Sequence, residues 1–203
     1  MIIESHIQNM IKSLISGEAR AIESIYDQID QNFWSAVDII LRNNYPIIVT
    51  GSGTSHSVAL RFAHLLSCCG TPAFYIHPGD AIHGSAGVVI KGMILIAISK
   101  GGETYEINKF VEIAKERGAF VIGITGNEKS TLAQLSNLII KIKIPQDIDP
   151  FGAIALGSSL VISAMCDAFC VALLNLRGYS FENFIRTHPG GEIGRKFYSD
   201  QIG

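Results

Sequence analysis

The sequence predicts an α/β protein: a three-layer α-β-α sandwich around a five-stranded parallel sheet in the flavodoxin-like order 2-1-3-4-5. Three observations carry this. From Pro46 onward, apolar runs of strand length alternate with segments of helical periodicity. The runs are apolar throughout, as in Met93-Ile-Leu-Ile-Ala-Ile98, which suits strands covered on both faces. Two of them end in a Gly/Ser/Thr turn that feeds a helix: Gly51-Ser-Gly-Thr-Ser55 and Ser99-Lys-Gly-Gly-Glu103-Thr104. In the order 2-1-3-4-5 the first and third strands are neighbours whose connections leave in opposite directions. Both turns then fall at that switch point, where α/β sheets bind ligands.

Residues 1–43 read as a helical lead-in, and 44–203 as one α/β domain with a C-terminal tail. Ile3, Ile7, Met10, Ile11 and Leu14 form an apolar stripe; Gly17 interrupts it, and the stripe resumes from Ala21 to Leu41. Its expected place is against the domain or a second subunit. Strands are expected at 46–50, 72–76, 93–98, 119–124 and 137–142, and helices at 55–68, 104–117, 129–135 and 153–176. The last helix is apolar nearly all round, from Ile154 to Leu174, so it reads as buried, with a subunit interface a natural place for it.

Composition removes several classes of function. Lys and Arg number 16 against 18 Asp and Glu, a net charge of −2, and no face-sized block of basic residues marks a nucleic-acid footprint. No uninterrupted apolar run is read as reaching membrane length, and Met1-Ile-Ile-Glu4 lacks the basic start of a secretory signal. The expectation is a cytoplasmic chain with neither nucleic acid nor membrane as partner. Cys68, Cys69, Cys166 and Cys170 read as buried free thiols; Cys166 and Cys170 could share a helix face, but without further ligands no metal site is expected.

The first turn begins like G-x-G-x-x-G, but its sixth position is His56, and the second strand runs into Ile76-His77-Pro78 without the acidic residue that holds a ribose. A dinucleotide is disfavoured, and the lysine of a P-loop is missing. What remains, Ser52, Gly53, Thr54 and Ser55, suits one phosphate or simply a tight turn. The second turn offers two hydroxyls, Ser99 and Thr104, and the Lys100 ammonium beside a helix N-terminus, where free N–H groups and the dipole favour an anion. Lys100 equally reads as a solvated lysine at a strand end. Taken alone, Glu106 reads as the N3 glutamate of a helix cap. Beside a sugar phosphate it is the carboxylate that proton abstraction near a C1–C2 bond needs. His77, His83 and His188 lie in Pro/Gly turns and could shuttle a proton near neutral pH without a metal, whereas His6, His56 and His64 read as structural.

These residues resemble the sugar isomerase (SIS) family, and within it the bacterial arabinose-5-phosphate isomerases. The stretches that carry the resemblance are Gly51-Ser-Gly, Gly70-Thr-Pro, His77-Pro with His83-Gly, Ile96-Ala-Ile-Ser99 with Gly102-Glu and Glu106-Ile, Ile124-Thr-Gly, Asp167-Ala, Arg177-Gly-Tyr and, most specific, His188-Pro-Gly-Gly with Gly194-Arg-Lys. It covers about Asn43 to the C-terminus. The resemblance implies a homodimer or homotetramer with shared active sites and a cofactor-free, metal-free aldose–ketose isomerisation of a phosphorylated sugar through an enediol. It makes Glu106 the base, lets His188 and His83 assist ring opening and proton shuttling (one of them on a neighbouring subunit), and has Ser52, Thr54, Ser99 and Thr104 hold the phosphate. The chain departs from those isomerases at three positions: Thr54 stands for a lysine, Asp147 for a glutamate and Gly101 for a serine. CBS modules often follow such a domain and are not expected here, where the chain stops at Gly203. SIS scaffolds also serve as non-catalytic sugar-phosphate sensors and as amino-sugar phosphate lyases or etherases. The missing lysine leans toward the sensor; the retained Glu106 and His188 lean toward the isomerase.

Overall fold

The computed structural model describes residues 2–143 and 154–199. Helices α1 (Ile2–Glu23) and α2 (Gln31–Arg42) lead into strand β1 (Ile47–Gly51), followed by α3 (Thr54–Cys68), β2 (Ala73–Tyr75) and the short α4 (Pro78–Ala81). After a 3-10 turn at Ser85–Val88 come β3 (Ile94–Ile98), α5 (Tyr105–Glu116), β4 (Phe120–Thr125), α6 (Thr131–Leu135) and β5 (Leu138–Lys141). Helices α7 (Leu156–Leu176), α8 (Phe181–Arg186) and α9 (Glu192–Ser199) close the chain. All strand pairs are parallel and the order is β2-β1-β3-β4-β5, the order expected.

Alternate residues of each strand face opposite layers. Ile47, Val49, Ile94, Ile96 and Ile98 pack under α2, α3 and α7 in one core. Ile48, Leu95 and Ala97 point the other way, into a second core with Ile107, Phe110 and Val111 of α5. This two-sided burial is the reason the strands read as apolar throughout, and it makes the fold a three-layer sandwich. In the larger core Phe169 of α7 lies 4.3 Å from Phe33 of α2 and 6.2 Å from Phe62 of α3, ring to ring. Each such fully buried ring contributes about 1.5–3 kcal/mol, so α2 belongs to the same core as the sheet.

Several expectations are corrected. Gly17 does not interrupt α1, which runs unbroken from Ile2 to Glu23 with Gly17 buried within it. The real break follows at Tyr26–Asp30, where the Asp30 carboxylate caps α2 by accepting from Asn32 N at 2.9 Å and Phe33 N at 3.0 Å. Helix α7 is also not buried all round: Ser158, Val161, Met165 and Phe169 are covered, but Val171 is 62% and Leu176 58% exposed. It is moreover long and apolar enough to cross a membrane by length and composition, with mean hydropathy 1.9, although Asp167 interrupts its apolar run. The core of this domain takes one side of it and leaves the other uncovered. The four thiols are free, as expected, but only Cys166 and Cys170 are buried; Cys68 and Cys69 are half-buried.

Candidate functional site

The turn after β1 uses each of its glycines for a reason. A Cβ on Gly51 would sit 2.5 Å from the Ser55 carbonyl oxygen, so the turn closes only around a bare backbone. Gly53 caps α3 at φ 58°, ψ −130°, a conformation that side chains disfavour. These two requirements set the free N–H groups of α3 at the C-terminal edge of the sheet. The buried Thr50 hydroxyl donates to Ile76 O at 2.8 Å and ties the ends of β1 and β2 together.

The turn after β3 is braced differently. Ser99 is only 4% exposed; its hydroxyl accepts the Gly102 N–H at 3.1 Å and lies 3.2 Å from the Thr104 hydroxyl. Gly102 sits at φ 72°, and its carbonyl accepts from Asn108 Nδ2 at 3.1 Å and Leu132 N at 3.0 Å. Ser99 therefore shapes the loop from inside, while Thr104, the N-cap of α5, is half-buried and makes no side-chain cap bond.

The two glutamates of this loop separate. Glu103 accepts from the Thr131 hydroxyl at 2.6 Å and the Thr131 N–H at 2.9 Å, and these bonds hold its carboxyl below the usual range. It anchors the start of α6. Glu106 is half-buried in the first turn of α5, and its carboxylate makes no hydrogen bond or ion pair among the described residues. It lies at N2, because Thr104 is the N-cap, so the N3 reading of Glu106 does not hold.

Both turns meet. Thr54, Ser55 and Lys100 line one small cavity of about 30 Å³, with Ser158 and Ser159 from the first turn of α7 on its other side. Two helix N-termini, four hydroxyls and an ammonium converge there, an arrangement suited to anions. Ser158 and Ser159 are not singled out by sequence reasoning. Only the switch-point topology brings α7 over the β1 and β3 turns, and the apolar residues around these serines hide them. Ser52 and Gly53 complete the first turn. Asp147 lies outside the described residues.

The histidines do not join this group within one chain. His83 is exposed in the turn after α4, with no side-chain hydrogen bond among the described residues. His188 packs against the far end of α3: its Nδ1–H donates to Phe184 O at 2.7 Å, its Nε2 is 3.4 Å from Cys68 Sγ, and its ring stacks on Phe184 at 3.9 Å. Helix α3 runs from Thr54 to Cys68, so about 20 Å separates His188 from the first turn. His56, read as structural, instead stands beside the first turn and pairs with Tyr75 at 2.7 Å.

The SIS domain profile matches residues 40–172. The chain is 35% identical over 195 residues to an arabinose 5-phosphate isomerase KdsD from Francisella tularensis, covering 95% of this chain and 59% of that protein. It is 33% identical over 185 residues to the KdsD of Escherichia coli K12, covering 91% of this chain and 56% of that one. The chain thus spans less than two thirds of the length of these curated relatives. Among solved structures, a protein of Escherichia coli CFT073 in complex with arabinose 5-phosphate superposes with a TM-score of 0.87 at 29% identity, covering 91% of this chain and 98% of that one.

Proposed function

We propose that this chain, which belongs to the SIS domain family, is a phosphosugar isomerase interconverting an aldose phosphate and its ketose phosphate, with arabinose 5-phosphate the first substrate to test. The observation that carries the reading is the meeting of the two turns at one cavity, where hydroxyls, helix N-termini and Lys100 converge; the Glu106 carboxylate, without a partner among the described residues, stands in the first turn of the helix that the second of these turns feeds. The names of the relatives and the arabinose 5-phosphate held by a neighbouring structure support the substrate class. The phosphate is assigned to Ser52, Gly53, Thr54, Ser55, Lys100 and Thr104, with Ser99 bracing the second loop.

In this reading Glu106 takes the proton from C2 of the open-chain aldose. The C–H electron pair becomes the C1=C2 bond of an enediol while O1 gains a proton from an imidazolium. Return of the proton from Glu106 to C1, with the O2 proton passing to the imidazole that protonated O1, gives the ketose and restores both groups. No step needs a metal, so EDTA should leave turnover unchanged. His83 and His188 are assigned ring opening and proton shuttling. Because His188 lies about 20 Å along α3 from the first turn, the reading gives it to the site of a neighbouring copy. The exposed apolar residues of α1 and α7, such as Ile7, Ile11, Val171 and Leu176, are the surfaces assigned to that contact. Light scattering should then give a dimer or tetramer; a 22.0 kDa monomer at micromolar concentration would remove the shared site.

The deciding experiment screens pentose, hexose and amino-sugar phosphates for exchange of the C2 proton with deuterated water. Wild-type protein should exchange at least one, and Glu106→Gln should lose exchange by a factor of about 10² or more while still binding that sugar phosphate. Binding without exchange in every ligand would replace the isomerase with a sugar-phosphate sensor.

A further inference from the structure

A polar cluster at the end of β2 has no part in the chemistry assigned above. Tyr75 Oη lies 2.8 Å from Gly51 O and 2.7 Å from His56 Nδ1. A carbonyl oxygen can only accept, so the single phenol hydrogen goes to Gly51, and His56 Nδ1 must donate to Tyr75. His56 is thereby held with its proton on Nδ1 and a lone pair on Nε2. His77 has the opposite arrangement. Its Nδ1 accepts the Gly79 N–H at 3.1 Å, which leaves the neutral ring's proton on Nε2.

Among the described residues neither Nε2 has a hydrogen-bond partner. The two rings are 5.8 Å apart, centroid to centroid, with their planes at 57°. His56 is half-buried in the first turn of α3, and His77 is exposed at the cap of α4, so both border the Gly51–Ser55 turn. Burial pushes the Tyr75 phenol up to about 12, with Asp80 adding to the shift, so the proton that fixes the arrangement stays in place through the neutral range. An acceptor nitrogen on one ring and a donor nitrogen on its neighbour complement a hydroxyl, which donates and accepts at once.

We propose that His56 and His77 form a hydroxyl-binding subsite beside the phosphate turn, His56 Nε2 accepting from and His77 Nε2–H donating to one hydroxyl of the sugar chain. The pair would select which polyol phosphate is accepted, and Tyr75 is the positioning residue that keeps His56 in the required tautomer. The subsite rests on the phosphosugar reading of the site.

Two substitutions test it. His77→Asn keeps an acceptor for the Gly79 N–H, since asparagine is itself a good helix cap, but removes Nε2–H. His56→Asn keeps an amide donor toward Tyr75 and removes the Nε2 acceptor. Each should raise KM for arabinose 5-phosphate, or for whichever sugar phosphate exchanges, about tenfold, the scale of one hydrogen bond left unmade. Inhibition by inorganic phosphate, which has no sugar hydroxyl, should stay within about twofold of wild type. An unmoved KM in both variants overturns the subsite. So does a phosphate inhibition constant that rises in step with KM, because that pattern means the turn itself has shifted. If His56→Asn fails to fold, His77→Asn at its exposed position decides alone. Wild-type protein that neither exchanges nor binds any sugar phosphate takes down the functional reading and the subsite with it, whereas active wild type with unmoved variants overturns the subsite only.

Discussion

Gly101 and Gly102 are adjacent in sequence, and the fold makes opposite demands on them. Gly102 stands at φ 72°, and a Cβ there would sit 2.1 Å from Ser130 Oγ and 2.4 Å from Ser130 Cβ. The left-handed conformation alone costs a residue with a Cβ about 1–2 kcal/mol. Ser130 has no room to retreat, being fully buried with its hydroxyl donating to Asn127 O at 2.7 Å and accepting from Ala133 N at 3.3 Å as the cap of α6. Forcing it aside adds an overpacking cost of about 1–3 kcal/mol and the loss of a cap at about 1 kcal/mol. Gly102→Ala should therefore lose about 3–6 kcal/mol, a large part of the stability of an ordinary domain. For a chain of this size that lowers Tm by roughly 6–24 °C. At Gly101 a Cβ meets nothing within 4 Å, and φ is not positive. Gly101→Ser should stay within about 0.5 kcal/mol of wild type. Thermal and urea unfolding of both variants measure the contrast. A Gly102→Ala protein that melts within 2 °C of wild type, taking roughly 2 °C as the effect of half a kcal/mol or more, would refute the reasoning. Equal losses at the two glycines would refute it as well.

Two further outcomes follow from named groups. Tyr75 should titrate at about 12 by ultraviolet difference absorbance. Its folded value is raised by burial, so the unfolded chain releases this proton first; the stability it contributes is intact below the ordinary tyrosine value of about 10 and falls as pH rises toward 12. A phenol that titrates at the ordinary value, or a high-pH stability loss unchanged in Tyr75→Phe, would contradict this. Lys100→Met should weaken sugar-phosphate binding by roughly 1–3 kcal/mol, the scale of a bond to a charged group, and leave binding of the dephosphorylated sugar nearly unchanged. Equal losses for both ligands, measured by calorimetry, would remove Lys100 from the phosphate site.

The strand order and the two glycine turns are legible in the sequence because each rests on local patterns. Strands buried on both faces are apolar throughout, and turns that must approach α3 or adopt a left-handed φ carry glycine. The identity of the carboxylate is only half legible. Glu103 and Glu106 are both acidic residues at one helix start, and only the packing of α6 against this loop, which gives Thr131 to Glu103, separates them. His56 reads as structural because spacing along α3 says nothing about Tyr75, which is 19 residues away and arrives through the pairing of β2 with β1. The apolar run of α7 reads as buried on every side because hydrophobicity records what a residue avoids and not which neighbour covers it. His188 is legible as a motif but not as a position, since a distance of about 20 Å along α3 exists only once the chain is folded. Short-range periodicity and backbone sterics, both written in the chain itself, are enough to settle the layers and the turn chemistry. Which polar groups meet at the switch point is settled by contacts between residues far apart in the chain, and those contacts exist only in the folded molecule.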